Sequence, residues 1–240
     1  MANPKKKKNT DEEYEYESEA GEDEAKEQAF HFYEAPLAGK QYHFYLSDSI
    51  GPPKDYVEMI QRIKCASPHD VIYVYLNTPG GHINTGIQII SAIKMSQAHV
   101  ITVIEGEVCS LGTLIFLHGD EMVVHDHCLF MVHNHSGGAY GKGHEYLASA
   151  NATARWFGEL AEETYAGFMT EAEIKRMMAG EDFWMTSTEV RERLQNFVKH
   201  LDDQRKMREA EQAKAEEEAA KPKPRRAPRK KAAKKKTTKK

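Results

Sequence analysis

Residues 100–117, VITVIEGEVCSLGTLIFL, join a strand pattern to a helix pattern through a glycine-flanked turn. Val100 to Ile104 is an apolar, β-branched run and predicts a strand. Leu111 to Leu117 predicts a helix. Between them, Gly106-Glu107-Val108-Cys109-Ser110-Leu111-Gly112 places Ser110 at a strand-to-helix turn. A hydroxyl there lies at a helix N-terminus, where backbone N–H groups and the helix dipole favour developing negative charge. That position suits a nucleophile.

The same alternation of strand and helix recurs on either side of this stretch. Strands are expected at Tyr42–Leu46, Val71–Leu76, Glu121–Val124 and Leu129–His133, and helices at Asp55–Lys64 and Thr85–Ser96. Repeated strand-strand-helix units imply an α/β core with largely parallel pairing and right-handed crossovers. Three further stretches carry chemistry. Asn77-Thr78-Pro79-Gly80-Gly81 follows a strand directly, Met131-Val132-His133 ends another, and Glu181-Asp182-Phe183 comes late in the chain. A serine hydroxyl needs a base within hydrogen-bond reach, and that base needs an acidic group to set its tautomer. Serine, histidine and aspartate are all present, beside a glycine turn able to present amides to an oxyanion.

These four stretches, NTPGG, GEVCSLG, MVH and GEDFWMTSTEV, resemble the marks of the ClpP family of self-compartmentalising serine peptidases. The family's marks are an N-S-P-G-G turn, a G-x-A-A-S-M-G nucleophile motif, M-I-H and a late R-D-x-x-M-x-A-x-E-A. The resemblance runs from about Tyr42 to Val190, with the motifs in the family's order. It implies the ClpP/crotonase fold, with Ser110 as nucleophile, His133 as general base and Asp182 as the orienting carboxylate. The amides of Gly81 and Leu111 would form the oxyanion hole. Val108 and Cys109 stand where the family has alanines, Leu111 replaces a methionine, and the hairpin between Ser110 and His133 is shorter. After Val190, Arg193-Leu194-Gln195-Asn196 departs from the family's ending.

The resemblance further implies that the helical stretch His144–Phe168 is a projecting handle through which two seven-membered rings lock face to face. Peptides would be cut inside that homo-oligomeric chamber, fed by an AAA+ unfoldase. No G-x-x-x-x-G-K-[ST] motif occurs here, so ATP dependence would come from the partner. The positions matching the family's unfoldase-docking pockets are Tyr75, Met95 and Val123. No cofactor or metal is expected. His125, His127, Cys128, His133 and His135 cluster in sequence, but their spacing fits no structural zinc pattern. His127 and His135 are read as hairpin surface residues.

Composition sets the boundaries. The formal net charge of −4 conceals strong segregation. Residues 1–27 hold ten acids against five lysines, whereas residues 221–240 hold twelve bases and no acid. Neither end has enough apolar surface to offset ordering entropy. The expected organisation is a disordered acidic segment over 1–27, a peptidase domain over 28–201, and a charged helical extension with a disordered basic tail over 202–240. The tail should bind polyanions weakly and without sequence preference. Three cysteines, no apolar leader and no run long enough to span a membrane point to a reducing, cytoplasmic setting. Two other functions fit the same residues. One is a virus head maturation protease of this fold, acting without an unfoldase. The other is an inactive ring subunit or scaffold whose tail binds nucleic acid.

Overall fold

The structure is a computed structural model that describes residues 31–36, 39–138 and 140–220. The acidic segment 1–27 and the basic segment 221–240 lie outside the described residues. The strands are β1 (His31–Pro36), β2 (Lys40–Ser47), β3 (Val71–Thr78), β4 (His99–Cys109), β5 (Glu121–Val124), β6 (Leu129–Val132) and β7 (Phe183–Thr186). The helices are α1 (Val57–Cys65), α2 (Ile83–Met95), α3 (Leu111–Phe116), α4 (Gly143–Tyr165), α5 (Glu171–Met178) and α6 (Ser187–Ala220).

The sheet runs β1-β2-β3-β4-β6-β7, with β5 also paired to β4. Pairing is parallel from β2 through β6 and antiparallel only where β1 joins β2 and β7 joins β6. This is the α/β architecture that the strand-helix alternation implies. One face is core: Phe44 and Leu46 of β2 and Ile72, Val74 and Leu76 of β3 are buried at alternate positions. The other face carries a stacked array of His43, Tyr45, Tyr73 and Tyr75.

Two local expectations change. The first helix begins at Val57, because Pro53–Tyr56 forms a 3-10 turn and Tyr56 sits at φ −111°, ψ 6°. Consecutive prolines preset φ and remove two donors, which favours a short turn ahead of the regular helix. The segment between Ser110 and His133 is not a hairpin. β4 is eleven residues long, so one edge accommodates two neighbours: β5 pairs with Ile101–Ile104 and β6 with Glu107–Cys109, both parallel.

Two Thr-x-x-Glu capping boxes organise the C-terminal part. Thr170 and Glu173 satisfy each other's backbone N–H groups at the start of α5. Thr186 and Glu189 do the same where β7 turns into α6. From there Val190, Leu194 and Phe197 are buried, a spacing that keeps one stripe of α6 on the core. An aromatic chain, Phe116–Phe130–Phe168–Phe197, ties α3, β6, the α4–α5 turn and α6 together at centroid separations of 5.8, 5.6 and 6.1 Å. Thus Arg193-Leu194-Gln195-Asn196 belongs to a packed helix despite its departure from the family's ending. From Arg205 to Glu216, α6 is exposed on all sides. In α4, residues 143–156 are exposed, including Leu147, and only the last turns are buried through Phe157, Ala161 and Tyr165. This is the projecting helix.

Candidate active site

Ser110 follows β4 with no intervening residue, since the strand continues through Glu105-Gly106-Glu107 to Cys109. The extra length is absorbed by an irregularity against β3, where the register jumps from Leu76↔Ile104 to Thr78↔Val108. Asn77 covers the break, its Oδ1 accepting from the Glu107 N–H at 3.1 Å. Ser110 itself has φ 52° and ψ −122°. A non-glycine residue with positive φ carries strain of about 1–3 kcal/mol, which persists only where surrounding contacts over-determine it.

The Asn77–Gly81 turn is locked by Thr78. Its buried Oγ1 donates to the Asp48 carbonyl at 2.6 Å and accepts from the Gly80 N–H at 3.1 Å. Gly80, at φ +100°, lies against the nucleophile turn: a Cβ there would come within 2.8 Å of Ser110 Cβ and 2.9 Å of the Cys109 carbonyl oxygen. Only glycine fits. Gly81 bridges to Ile50, and its own Cβ would collide with the Ile50 backbone. Among the described residues neither the Gly81 N–H nor the Leu111 N–H is spent on a hydrogen bond.

Ser110, His133, Gly81 and Leu111 line one cavity of about 280 Å³. Residues from three separate stretches of chain thus converge there. Asp182 is exposed, immediately before β7, and is not among the residues lining the cavity. The antiparallel register pairs Val132 with Phe183, and one more step sets Asp182 opposite His133, where facing Cα atoms are about 4.5–5.5 Å apart. No hydrogen bond links the two side chains among the described residues.

Cys109, next to Ser110, is buried, and that burial, together with the neighbouring Glu107 carboxylate, pushes its thiol up to about 12. It stays protonated at neutral pH and does not compete as a nucleophile. The residues expected to dock a partner divide. Tyr75 and Val123 lie in one row across the sheet, through Tyr75↔Val103 and Val103↔Val123. Met95 ends α2, 67% exposed, and is not in that row.

Sequence reasoning missed much of the cavity wall. His135 is not a surface hairpin residue: it lines the cavity and packs on Phe157 with centroids 5.0 Å apart. Two-residue spacing from His133 in an extended segment was the available signal. Tyr146, Trp156, Phe157 and Tyr165 come from α4, and nothing local to the motifs points to them. His127 is exposed, and among the described residues no three His, Cys, Asp or Glu side chains form a set able to hold a metal ion.

Comparison with known proteins agrees with this architecture. Residues 53–193 match the Clp protease family model, and the chain belongs to that family. Among similar proteins, an ATP-dependent Clp protease proteolytic subunit of Chlorella vulgaris is 30% identical over 86 residues, covering 35% of this chain and 43% of its own length. An ATP-dependent Clp protease proteolytic subunit 2 of Pseudomonas aeruginosa is 28% identical over 145 residues, covering 57% of this chain and 68% of its own. No helix among the described residues is long and apolar enough to cross a membrane.

Proposed function

We propose that this protein is a serine endopeptidase in which Ser110 is the nucleophile, His133 the general base and Asp182 the group that orients His133. The observation that carries this reading is the shared cavity: a strained, half-buried serine with a histidine and two unspent backbone amides around one space. Ser110 Oγ attacks the substrate carbonyl carbon as its proton passes to His133. The carbonyl oxygen becomes an oxyanion held by the Gly81 and Leu111 N–H groups. His133 then gives its proton to the departing amine, and water attacks the acyl-enzyme by the same route in reverse. Asp182 reaches His133 by a side-chain rotation from the adjacent register position, and holds the tautomer that leaves a basic nitrogen toward Ser110.

The subunit assembles through α4 into paired seven-membered rings, the arrangement that the family resemblance supplies. Polypeptides would be delivered by an AAA+ unfoldase docking near the Tyr75–Val123 row. Ser110→Ala should abolish both hydrolysis of small fluorogenic peptides and labelling by a fluorophosphonate, while leaving assembly intact. Undiminished labelling of that variant would sink the assignment. Electron microscopy of the full chain tests the ring.

A further inference from the structure

The strained backbone of Ser110 needs restraint on both sides. Its N–H donates to the Met131 carbonyl at 2.9 Å. Its carbonyl accepts twice from Thr113, from the backbone N–H at 3.0 Å and from the hydroxyl at 2.7 Å. A threonine hydroxyl has one proton, and here it is spent on Ser110. At the 2.7 Å contact between Thr113 Oγ1 and the Tyr165 phenol oxygen, Tyr165 is therefore the donor. Both residues are buried, Thr113 at 0% and Tyr165 at 1% exposure. Burial pushes the Tyr165 phenol well above its ordinary value, which keeps it protonated and donating. Tyr165 is the last residue of α4 and its side chain also lines the cavity.

The Ser110 carbonyl and the Leu111 N–H belong to one planar peptide unit and point to opposite sides of it, so fixing one fixes the other. The Thr113 N–H alone satisfies the carbonyl as an ordinary first-turn contact. The hydroxyl pair adds a second, buried restraint from an element 52 residues away. We propose that Tyr165 and Thr113 form a positioning relay that clamps the Ser110–Leu111 peptide and aims the Leu111 N–H at the substrate oxyanion, coupling the base of α4 to the reaction. This rests on the reading of Ser110 as nucleophile. Neither side chain takes part in bond making; both act through the peptide they hold.

The test uses full-length Thr113→Val, Thr113→Ser and Tyr165→Phe. Misdirecting a preorganised oxyanion donor costs about ten- to a thousandfold in turnover. Thr113→Val should lower kcat by about tenfold or more, with KM within about twofold. It should weaken a peptide boronate, which forms a tetrahedral adduct on the serine, by a similar factor. Thr113→Ser should recover most of the loss, and Tyr165→Phe should lie between. A kcat for Thr113→Val within about twofold of wild type, or a loss carried by KM with boronate affinity unmoved, would overturn the relay. Deuterium uptake over residues 106–116, measured in a Ser110→Ala background, tests the clamp without catalysis. Uptake should rise on Thr113→Val and also on Tyr165→Phe, which loses only a hydroxyl if the valine variant folds poorly. Unchanged uptake in Tyr165→Phe overturns the relay. Failure of wild type to hydrolyse or label would instead overturn the nucleophile reading, leaving the uptake result to judge the clamp.

Discussion

At the scale of single residues, the site depends on backbone geometry as much as on side-chain chemistry. Gly80 is required because the Ser110 and Cys109 atoms leave no room for a Cβ, and Thr78 holds the turn that brings Gly80 there. Asp182 differs in kind. It is exposed, and in the proposed mechanism it acts through His133 rather than through packing. Asp182→Asn should therefore lower turnover by about a hundredfold or more with little change in thermal midpoint, because an amide favours the wrong imidazole tautomer. Peptide hydrolysis alongside a melting curve checks this. A variant within threefold of wild type would mean that another group orients His133.

At the scale of elements, a two-pronged ion pair ties α6 to α5. Arg193 of α6 donates to both Glu173 carboxylate oxygens, at 3.0 and 2.7 Å, and to the Phe168 carbonyl at 3.2 Å. The Arg193 hydrogen bonds, aided by those from Thr170, hold the Glu173 carboxyl down at about 2, from an ordinary 4.5. A carboxyl with a depressed folded-state pKa stabilises the fold above its unfolded value, and that stability disappears as pH falls through the folded value. Glu173→Gln should thus cost about 2 kcal/mol at neutral pH, discounted for partial exposure of the pair. The difference from wild type should shrink as pH drops from about 4.5 toward about 2. Denaturant melts at several pH values measure it; a pH-independent difference would place the effect in packing instead.

At the scale of the whole molecule, charge is separated from chemistry. All twelve bases of residues 221–240 lie beyond α6, whose last turns are themselves rich in glutamate. Deleting Lys221–Lys240 should leave small-peptide hydrolysis unchanged, since the proposed catalytic groups all lie between Gly81 and Asp182. Binding to DNA or RNA at low salt should be largely lost, and binding by the full chain should fall steeply as salt rises. Peptidase assays and salt-titrated binding on both forms are the check. Loss of hydrolysis on truncation would make the tail part of the active assembly.

The α/β class is legible in the sequence, because β-branched runs and helical apolar stripes are local patterns with distinct periods. The sequence also marked the strand-to-helix turn at Ser110 and the glycines beside it, since turn chemistry is written in consecutive residues. Tertiary structure decided what shares a space with Ser110. That β5 and β6 both lie parallel along β4, that His135 faces the cavity, and that Tyr165 reaches Thr113 all follow from strand register and helix packing. Such contacts join residues tens of positions apart, and no local pattern encodes them: they exist only once burial of the shared core has brought the elements together.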